Sequence, residues 1–493
     1  MNLPLKIMDS VYVGGEWVKA TGEAEAVINP ATEAVIGMAP VGGKAEVSQA
    51  IAAARQAFDR GPWPRMSAAE RAAKLTELHA ALMARRTDIL RLLVEEAGAV
   101  TSALPTQFDF PMMLAKDAIE RGARYRDTSL PPGTVTGADG RKKLVGGVVR
   151  REPVGVVAAI TPYNYPYLLN IVKVFPALIM GNTVVLKPSP FTPFAALIVA
   201  EVAAEVGLPK GVLNVVTGAK DVGEMLTTDP RVDLITFTGS DAVGSAIAAQ
   251  GAPTLKRLHL ELGGKSPIII RQDADLKQAV AAGMMYLSHC GQGCVLTTRH
   301  LVHNSIRKAY VEAMAEQHRA MKIGDPADPS VTLGPLIREA ARARTEHYVA
   351  EGLKSGARLV TGGQRPSAFA KGFYYEPTLF DDVDNNSILA QEEVFGPVGA
   401  VIGFDTDAEA VDMANHSAYG LGGAIWSADL GAAFEMACAL RTGQVNINGG
   451  GAAPGSPFMG PFGGYKRSGI GREWGDEGLN AYTELKNLTF RQQ

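Results

Sequence analysis

Only three cysteines occur among the 493 residues. A disulfide framework is therefore excluded, and a reducing, cytoplasmic setting is expected. No stretch reaches 18 consecutive apolar residues, so no membrane-spanning helix is expected. Residues 1–10 carry Lys6 and Asp9 within a short apolar stretch and lack a signal-peptide core. Neither sign of charge is in excess: 48 Lys and Arg stand against 51 Asp and Glu. With no basic run interleaved with aromatics, a nucleic-acid partner is not expected. The Gly-x-Gly-x-x-Gly fingerprint is missing as well. Gly469-x-Gly471 is followed by Trp474, and Gly291-x-Gly293 by Leu296, so any dinucleotide here binds without that fingerprint. Gly264-Lys265-Ser266 has His259 where a phosphate loop needs glycine, which excludes a nucleoside triphosphate site.

What is present reads as globular α/β. The length prior of about 150 residues per domain gives two to four domains. Residues 44–58 and 67–97 read as amphipathic helices, the second opened by the Ser67/Glu70 capping box. From Val154, strand-length apolar runs at 156–160, 183–187, 213–216 and 232–237 alternate with helical segments at 193–206 and 240–250. Gly207 and Gly251 stand where these helices should stop. Such alternation predicts a parallel, doubly wound sheet, whose ligands gather at the carboxyl ends of its strands. A second alternating block runs from 267 to about 445. Residues 128–147 are polar and rich in Gly and Pro, 148–151 read as an edge strand, and 449–471 as an extended functional loop.

Several residues carry candidate chemistry. Cys294, in Gly291-Gln292-Gly293-Cys294, is flanked by residues that leave its approach open. An unassisted thiol is only about 3 % thiolate at pH 7, so a nucleophilic role needs help from elsewhere, and a packing role is the competing reading. Glu261 sits in an apolar strand before Gly263-Gly264, which suits a general base of raised pKa as well as a solvated edge residue. Asn164, between prolines and aromatics, is an oxyanion donor or a turn asparagine. Lys187 ends a strand. Ser240, in Phe237-Thr238-Gly239-Ser240, begins a helix whose N-terminus could meet a pyrophosphate. His289 and Cys290 precede Cys294 without any common metal-ligand spacing, so no metal is expected.

In this order these stretches, with Glu261–Pro267, Glu392-Glu393-Val394-Phe395-Gly396-Pro397 and Pro461-Phe462-Gly463-Gly464-Tyr465-Lys466-x-Ser468-Gly469-x-Gly471-Arg472-Glu473, resemble the NAD(P)-dependent aldehyde dehydrogenase superfamily across essentially the whole chain. The resemblance implies two Rossmann-like, doubly wound α/β domains and a small β oligomerisation arm. Residues 1–127 and 151–262 would form the dinucleotide-binding domain, and 263–445 the catalytic domain with 446–478 as a returning loop. Residues 128–150 and 479–493 would form the arm of a homodimer or homotetramer. It implies oxidation of a small-molecule aldehyde to the acid with NAD or NADP. Cys294 would be the nucleophile, Asn164 the oxyanion donor and Glu261 the base, with Lys173 and Glu473 in support. Thr161, Pro162, Lys187, Ser189, Gly218, Gly223, Phe237, Gly239, Ser240, Val243, Leu262, Gly263, Glu393 and Phe395 would hold the dinucleotide.

The departures from the family pattern shape two further expectations. Pro190 stands where NAD-preferring relatives commonly carry an acid, which removes one barrier to NADP. Tyr163 and Tyr165 replace the usual Trp and Phe, and Gly293 a larger residue. With Phe108, Met112, Met113, Tyr167, Val295, Phe458 and Met459 as tunnel residues, a bulky apolar or aromatic aldehyde is expected. Two alternatives stay open: a coenzyme A-acylating member of the fold, whose relatives generally lack the carboxylate at Glu261, and a dinucleotide-independent cysteine esterase.

Overall fold

The computed structural model describes residues 3–450 and 460–493. The apolar runs Val156–Ile160, Thr183–Lys187, Leu213–Val215, Leu234–Thr238 and Arg257–Glu261 lie side by side and parallel. Covered by helices on both faces, the central ones are buried at every position rather than at alternate ones. Across the sheet the order is 213–215, 183–187, 156–160, 234–238, 257–261. The chain thus reverses its direction of travel between 156–160 and 234–238, and the crevice at the carboxyl ends of these two strands is where such sheets bind ligands. Gly469–Ile470 adds antiparallel to Arg257–Glu261 and brings the C-terminal region beside Glu261.

A second sheet has the order 358–361, 378–381, 398–404, 299–303, 267–270, 422–426, 444–447. All its strands but the first are parallel. It encloses its own apolar core, while the first sheet has one core on each face. Both expected sheets are therefore present, and the strands at 156–160 and 183–187 begin and end where expected.

Three local expectations are corrected. Residues 148–151 belong to the strand Lys142–Pro153, which is the middle strand of three, between Thr128–Thr136 and Thr483–Arg491. The C-terminal segment supplies the second neighbour, so the strand is not an edge. The single helix expected over 67–97 is two, Ala68–Ala84 and Arg86–Ala97, broken at Arg85 (φ -91°, ψ 14°). Arg85 turns its guanidinium to Asp88 and to the Pro4 carbonyl. The break lets Leu75, Leu78 and Leu82 on one side, and Ile89, Leu92 and Leu93 on the other, all reach the core. The helix Asp241–Gly251 runs through Gly251 rather than stopping before it, and a single turn carries the chain to a left-handed Leu255.

Glu96, fully buried, accepts from the backbone N–H groups of Phe194 and Ala195, both at 2.9 Å. It thereby caps the helix Phe194–Glu205 from another helix's end. Of the loop expected at 449–471, Tyr465–Lys466 and Gly469–Ile470 form short strands. Phe458 and Met459 lie outside the described residues.

Candidate active site

Cys294 follows a short helical segment, Met284–Gly291, whose end is bent by His289 (φ 49°) and Cys290 (φ 56°) in left-handed conformations. Gly291 continues the left-handed run at φ 75°, and a Cβ there would overlap the Gly396 carbonyl. Gln292, fully buried, braces the turn. Its side-chain oxygen accepts from Ile337 N–H at 3.0 Å and its amide donates to the His289 carbonyl at 3.1 Å. The Asn164 amide donates to the Gln292 backbone carbonyl at 2.7 Å. One N–H of Asn164 is thus spent on fixing the loop, and the other is left for a ligand.

The Leu262-Gly263-Gly264 turn connects this loop to the rest of the site. A Cβ on Gly264 would overlap the Cys294 carbonyl, and one on Gly263 would lie 2.6 Å from Glu393 Oε2. Glu393 also accepts from Gly264 N–H at 2.9 Å. Two glycines are needed because the turn runs between the thiol loop and a carboxylate. Ser468 pins it from behind, its Oγ donating to the Gly263 carbonyl at 2.7 Å while its own carbonyl accepts from Leu262 N–H.

Glu261 closes the first strand of this turn, buried and with no hydrogen bond to either oxygen among the described residues. Burial first, then the neighbouring Glu473, holds its carboxyl well above the ordinary range, against Lys173 and Arg472. Behind it the buried pair Lys173–Glu473 closes at 2.7 Å. Burial likewise pushes the Cys294 thiol up, and the Glu393 and Glu261 carboxylates add to this. The resting surroundings therefore disfavour a free thiolate, and the proton must leave as the sulfur reacts. Glu393 is itself raised to about 7 by burial.

The residues expected at the dinucleotide gather along the carboxyl edge of the first sheet. Lys187 and Ser189 follow one strand, and Thr161, whose N–H donates to the Lys187 carbonyl, and Pro162 follow its neighbour. The Lys187 ammonium donates to the Pro188 carbonyl at 3.0 Å, and burial lowers it to about 8. Gly223 leaves open a position 3.6 Å from Lys187 Cε. Gly218 precedes the helix Lys220–Thr228 that carries Gly223. Ser240 accepts from Val243 N–H at 3.4 Å and caps the 11-residue helix Asp241–Gly251. The ring of Phe237 lies over Gly239, and Leu262 lies against Gly244 of that helix. A cation, a serine-capped helix N-terminus and the Glu393 carboxylate form a set of polar groups that fits ribose, pyrophosphate and ribose in turn.

The expected tunnel residues separate. Tyr165 stands 5.4 Å from His289, on the thiol side, and Val295 packs toward Gly422. Tyr163 is edge-on to Phe395 at 6.1 Å, on the dinucleotide side. Phe108 and Tyr167 stack at 5.3 Å, with the Tyr167 hydroxyl on Met112 sulfur, all within the core. They back the wall instead of lining it. Gly293 does not open space, because Leu296 fills the position its Cβ would take, 2.8 Å away. A further aromatic cluster, overlooked in the sequence, follows Glu473: Trp474 stacks on Phe462 at 4.5 Å and meets Phe110 edge-on at 5.5 Å. With Leu114, Ile171 and Val172, Trp474 lines a narrow cleft of about 20 Å³. The bracing role of Gln292 was also missed; its place between two glycines was the available signal. No cluster of metal-ligating side chains exists among the described residues.

Comparison with known proteins agrees over the full length. The family model described as Aldehyde dehydrogenase family matches residues 17–488. A putative aldehyde dehydrogenase of Staphylococcus aureus is 37 % identical over 486 residues, covering 97 % of this chain and 98 % of that one. The crystal structure of a Mycobacterium tuberculosis aldehyde dehydrogenase complexed with NAD+ superposes with a TM-score of 0.88 at 42 % identity, covering 98 % of both chains. That of a Staphylococcus aureus betaine aldehyde dehydrogenase in complex with NAD+ gives 0.93 at 35 % identity, covering 98 % of this chain and 95 % of that one.

Proposed function

The chain belongs to the aldehyde dehydrogenase family and is an NAD(P)-dependent aldehyde oxidoreductase, and from that premise we propose a hydrolytic mechanism carried by Cys294, Asn164 and Glu261. The Cys294 sulfur adds to the aldehyde carbon, a C–S bond replacing the carbonyl π bond as the thiol proton passes to solvent. The remaining N–H of Asn164 and the Cys294 backbone N–H receive the oxyanion, and one such donor is typically worth about 3–4 kcal/mol of barrier. When bound, the nicotinamide supplies the acceptor for the hydride that leaves the adduct carbon, so a thioester remains on Cys294. Glu261 then takes a proton from water, the water oxygen attacks the thioester, the C–S bond breaks and the acid departs. Lys173 and Glu473 support Glu261 from behind.

The observation that carries this reading is the Gly263-Gly264 turn, which draws the Cys294 loop and Glu393 together directly after an unpaired buried Glu261. A coenzyme A-acylating enzyme has no use for that base. Lys187, Ser240 and Glu393 would hold the dinucleotide, residues 1–127 and 151–262 forming its domain and 263–445 the catalytic one. Pro190 leaves no acid against a 2′-phosphate, so NAD and NADP both serve.

We further propose an apolar or aromatic aldehyde of some bulk, on the strength of Tyr165 and Val295 near the thiol and Phe110, Phe462 and Trp474 farther out. Aromatic faces also suit a quaternary ammonium, the group that betaine aldehyde presents to the similar Staphylococcus aureus enzyme. An aldehyde panel containing benzaldehyde, hexanal, acetaldehyde and betaine aldehyde, run with each dinucleotide, decides the matter. Highest kcat/KM on the first two supports the proposal, and preference for acetaldehyde or betaine aldehyde overturns it. Glu261→Gln should give one burst of reduced dinucleotide with steady turnover reduced at least about 100-fold; unimpaired turnover removes Glu261 from the base role.

The three-stranded sheet at Thr128–Thr136, Lys142–Pro153 and Thr483–Arg491 leaves Leu485, Leu488 and Phe490 exposed. We propose it as the surface through which copies of the chain form a homodimer or homotetramer.

A further inference from the structure

Alternate residues of a strand face the same side of a sheet, and two places before Glu261 stands His259. The two buried side chains share one face, His259 Nε2 lying 3.6 Å from Glu261 Oε1. The register of the neighbouring strand sets Thr236 opposite His259 and Thr238 opposite Glu261. The far end of this row favours one direction for its hydrogen bonds, because a hydroxyl that already accepts keeps its own proton free to donate. Lys173 can only donate, and it donates to Thr236 Oγ1 at 3.1 Å. The Thr236 hydroxyl proton is then directed to His259 Nδ1, 3.4 Å away. With Nδ1 as acceptor, the neutral ring carries its proton on Nε2, the nitrogen that faces Glu261. Among the described residues neither Nε2 nor either Glu261 oxygen has another hydrogen bond.

We propose that His259 is a positioning residue for Glu261, its Nε2–H favouring the ionised carboxylate and setting the rotamer from which that carboxylate meets water. The proposal rests on Glu261 being the base of the hydrolytic step. The 3.6 Å gap exceeds a formed hydrogen bond, and rotation of the carboxylate about its terminal torsion closes it. Burial keeps the ring itself uncharged, with Lys173 and Arg472 acting in the same sense. Of the other groups facing Glu261, Glu473 opposes its ionisation, Lys173 and Arg472 favour it, and the Cys294 thiol and Tyr482 hydroxyl are uncharged. Tyr482 stands edge-on to the imidazole at 6.3 Å. Lys173 is already committed to Glu473 and Thr236, and His259 Nε2 is the uncharged nitrogen nearest the base, on the base's own strand.

The test compares His259→Phe and His259→Gln in the full-length protein with excess aldehyde and NAD, by rapid mixing. The burst reports acylation of Cys294 and the steady phase reports hydrolysis. H259F should keep the burst within about twofold, slow the steady phase about tenfold, and raise its pH midpoint by about one unit, as loss of a donor to a carboxylate requires. H259Q, which restores an N–H donor, should recover most of both. Should H259F not fold, His259→Asn, whose shorter amide withdraws the donor, takes its place. A wild-type steady rate and midpoint in the donor-free variant overturns the proposal, as does equal slowing of both phases without rescue by Gln. Full turnover of E261Q would instead strike the base assignment itself, and the proposal with it.

Discussion

In the proposed mechanism Cys294 and Glu261 act only after losing a proton, and burial favours the protonated form of both in the free protein, with Glu393 and Glu473 respectively adding to the effect. Both raised pKa values work in one direction: the reactive forms gain population as pH rises. Steady turnover should therefore climb from pH 6 to pH 9 with no plateau near 7, and a flat profile over that range would contradict the assignment. These two residues stand out in the sequence because each sits in a short motif at a strand end or glycine turn. His259 was visible only as the residue that spoils a phosphate loop. Its partner Thr236 is 23 positions away and meets it only through the register of two parallel strands. Gly293 misled for a related reason: an absent side chain implies space only when no neighbour fills it, and Leu296 does.

Strand boundaries followed apolar pattern at Val156–Ile160 and Thr183–Lys187, which are buried on both sides. They departed from it where the decisive partner comes from far along the chain. Lys142–Pro153 is a central strand because Thr483–Arg491 lies against it, and periodicity in 148–151 carries no trace of that neighbour. Glu96 is the same case for a helix, capping Phe194–Glu205 from 98 residues away. Glu96→Ala leaves two buried N–H groups unpaired and should cost about 2–3 kcal/mol, measured by denaturant unfolding. Burial raises this carboxyl to about 8, far above its range in an unfolded chain. Its protonated form therefore stabilises the fold fully below the ordinary carboxyl pKa of about 4.5, and that contribution is lost as pH rises from there through 8. Glu96→Gln, close to neutral at pH 6.5, should gain on the wild type at pH 9. A gap between the two proteins that does not change with pH would show the carboxyl to be ionised throughout.

At the level of the whole chain, two separately cored sheets meet around the Cys294 loop, and a third, coreless sheet stands apart with Leu485 60 % and Phe490 57 % exposed. Burying such side chains is worth about 1.5–3 kcal/mol each, which a second copy would supply in the proposed assembly. The double variant Leu485→Asp/Phe490→Asp should sediment at the 52.0 kDa of one chain while the wild type runs at two or four times that mass. An unchanged assembly would place the contact elsewhere. The backbone contact between Gly291 and Gly396 has a consequence for how this enzyme can diversify. The loop bearing the sulfur and the segment bearing Glu393 are interlocked main chain to main chain, so neither can shift to admit a new substrate without the other losing its place. Libraries selected for activity on foreign aldehydes should leave 291 and 396 untouched and accumulate their changes at 110, 165, 172, 462 and 474, and the enzyme would be retargeted from its outer wall inward.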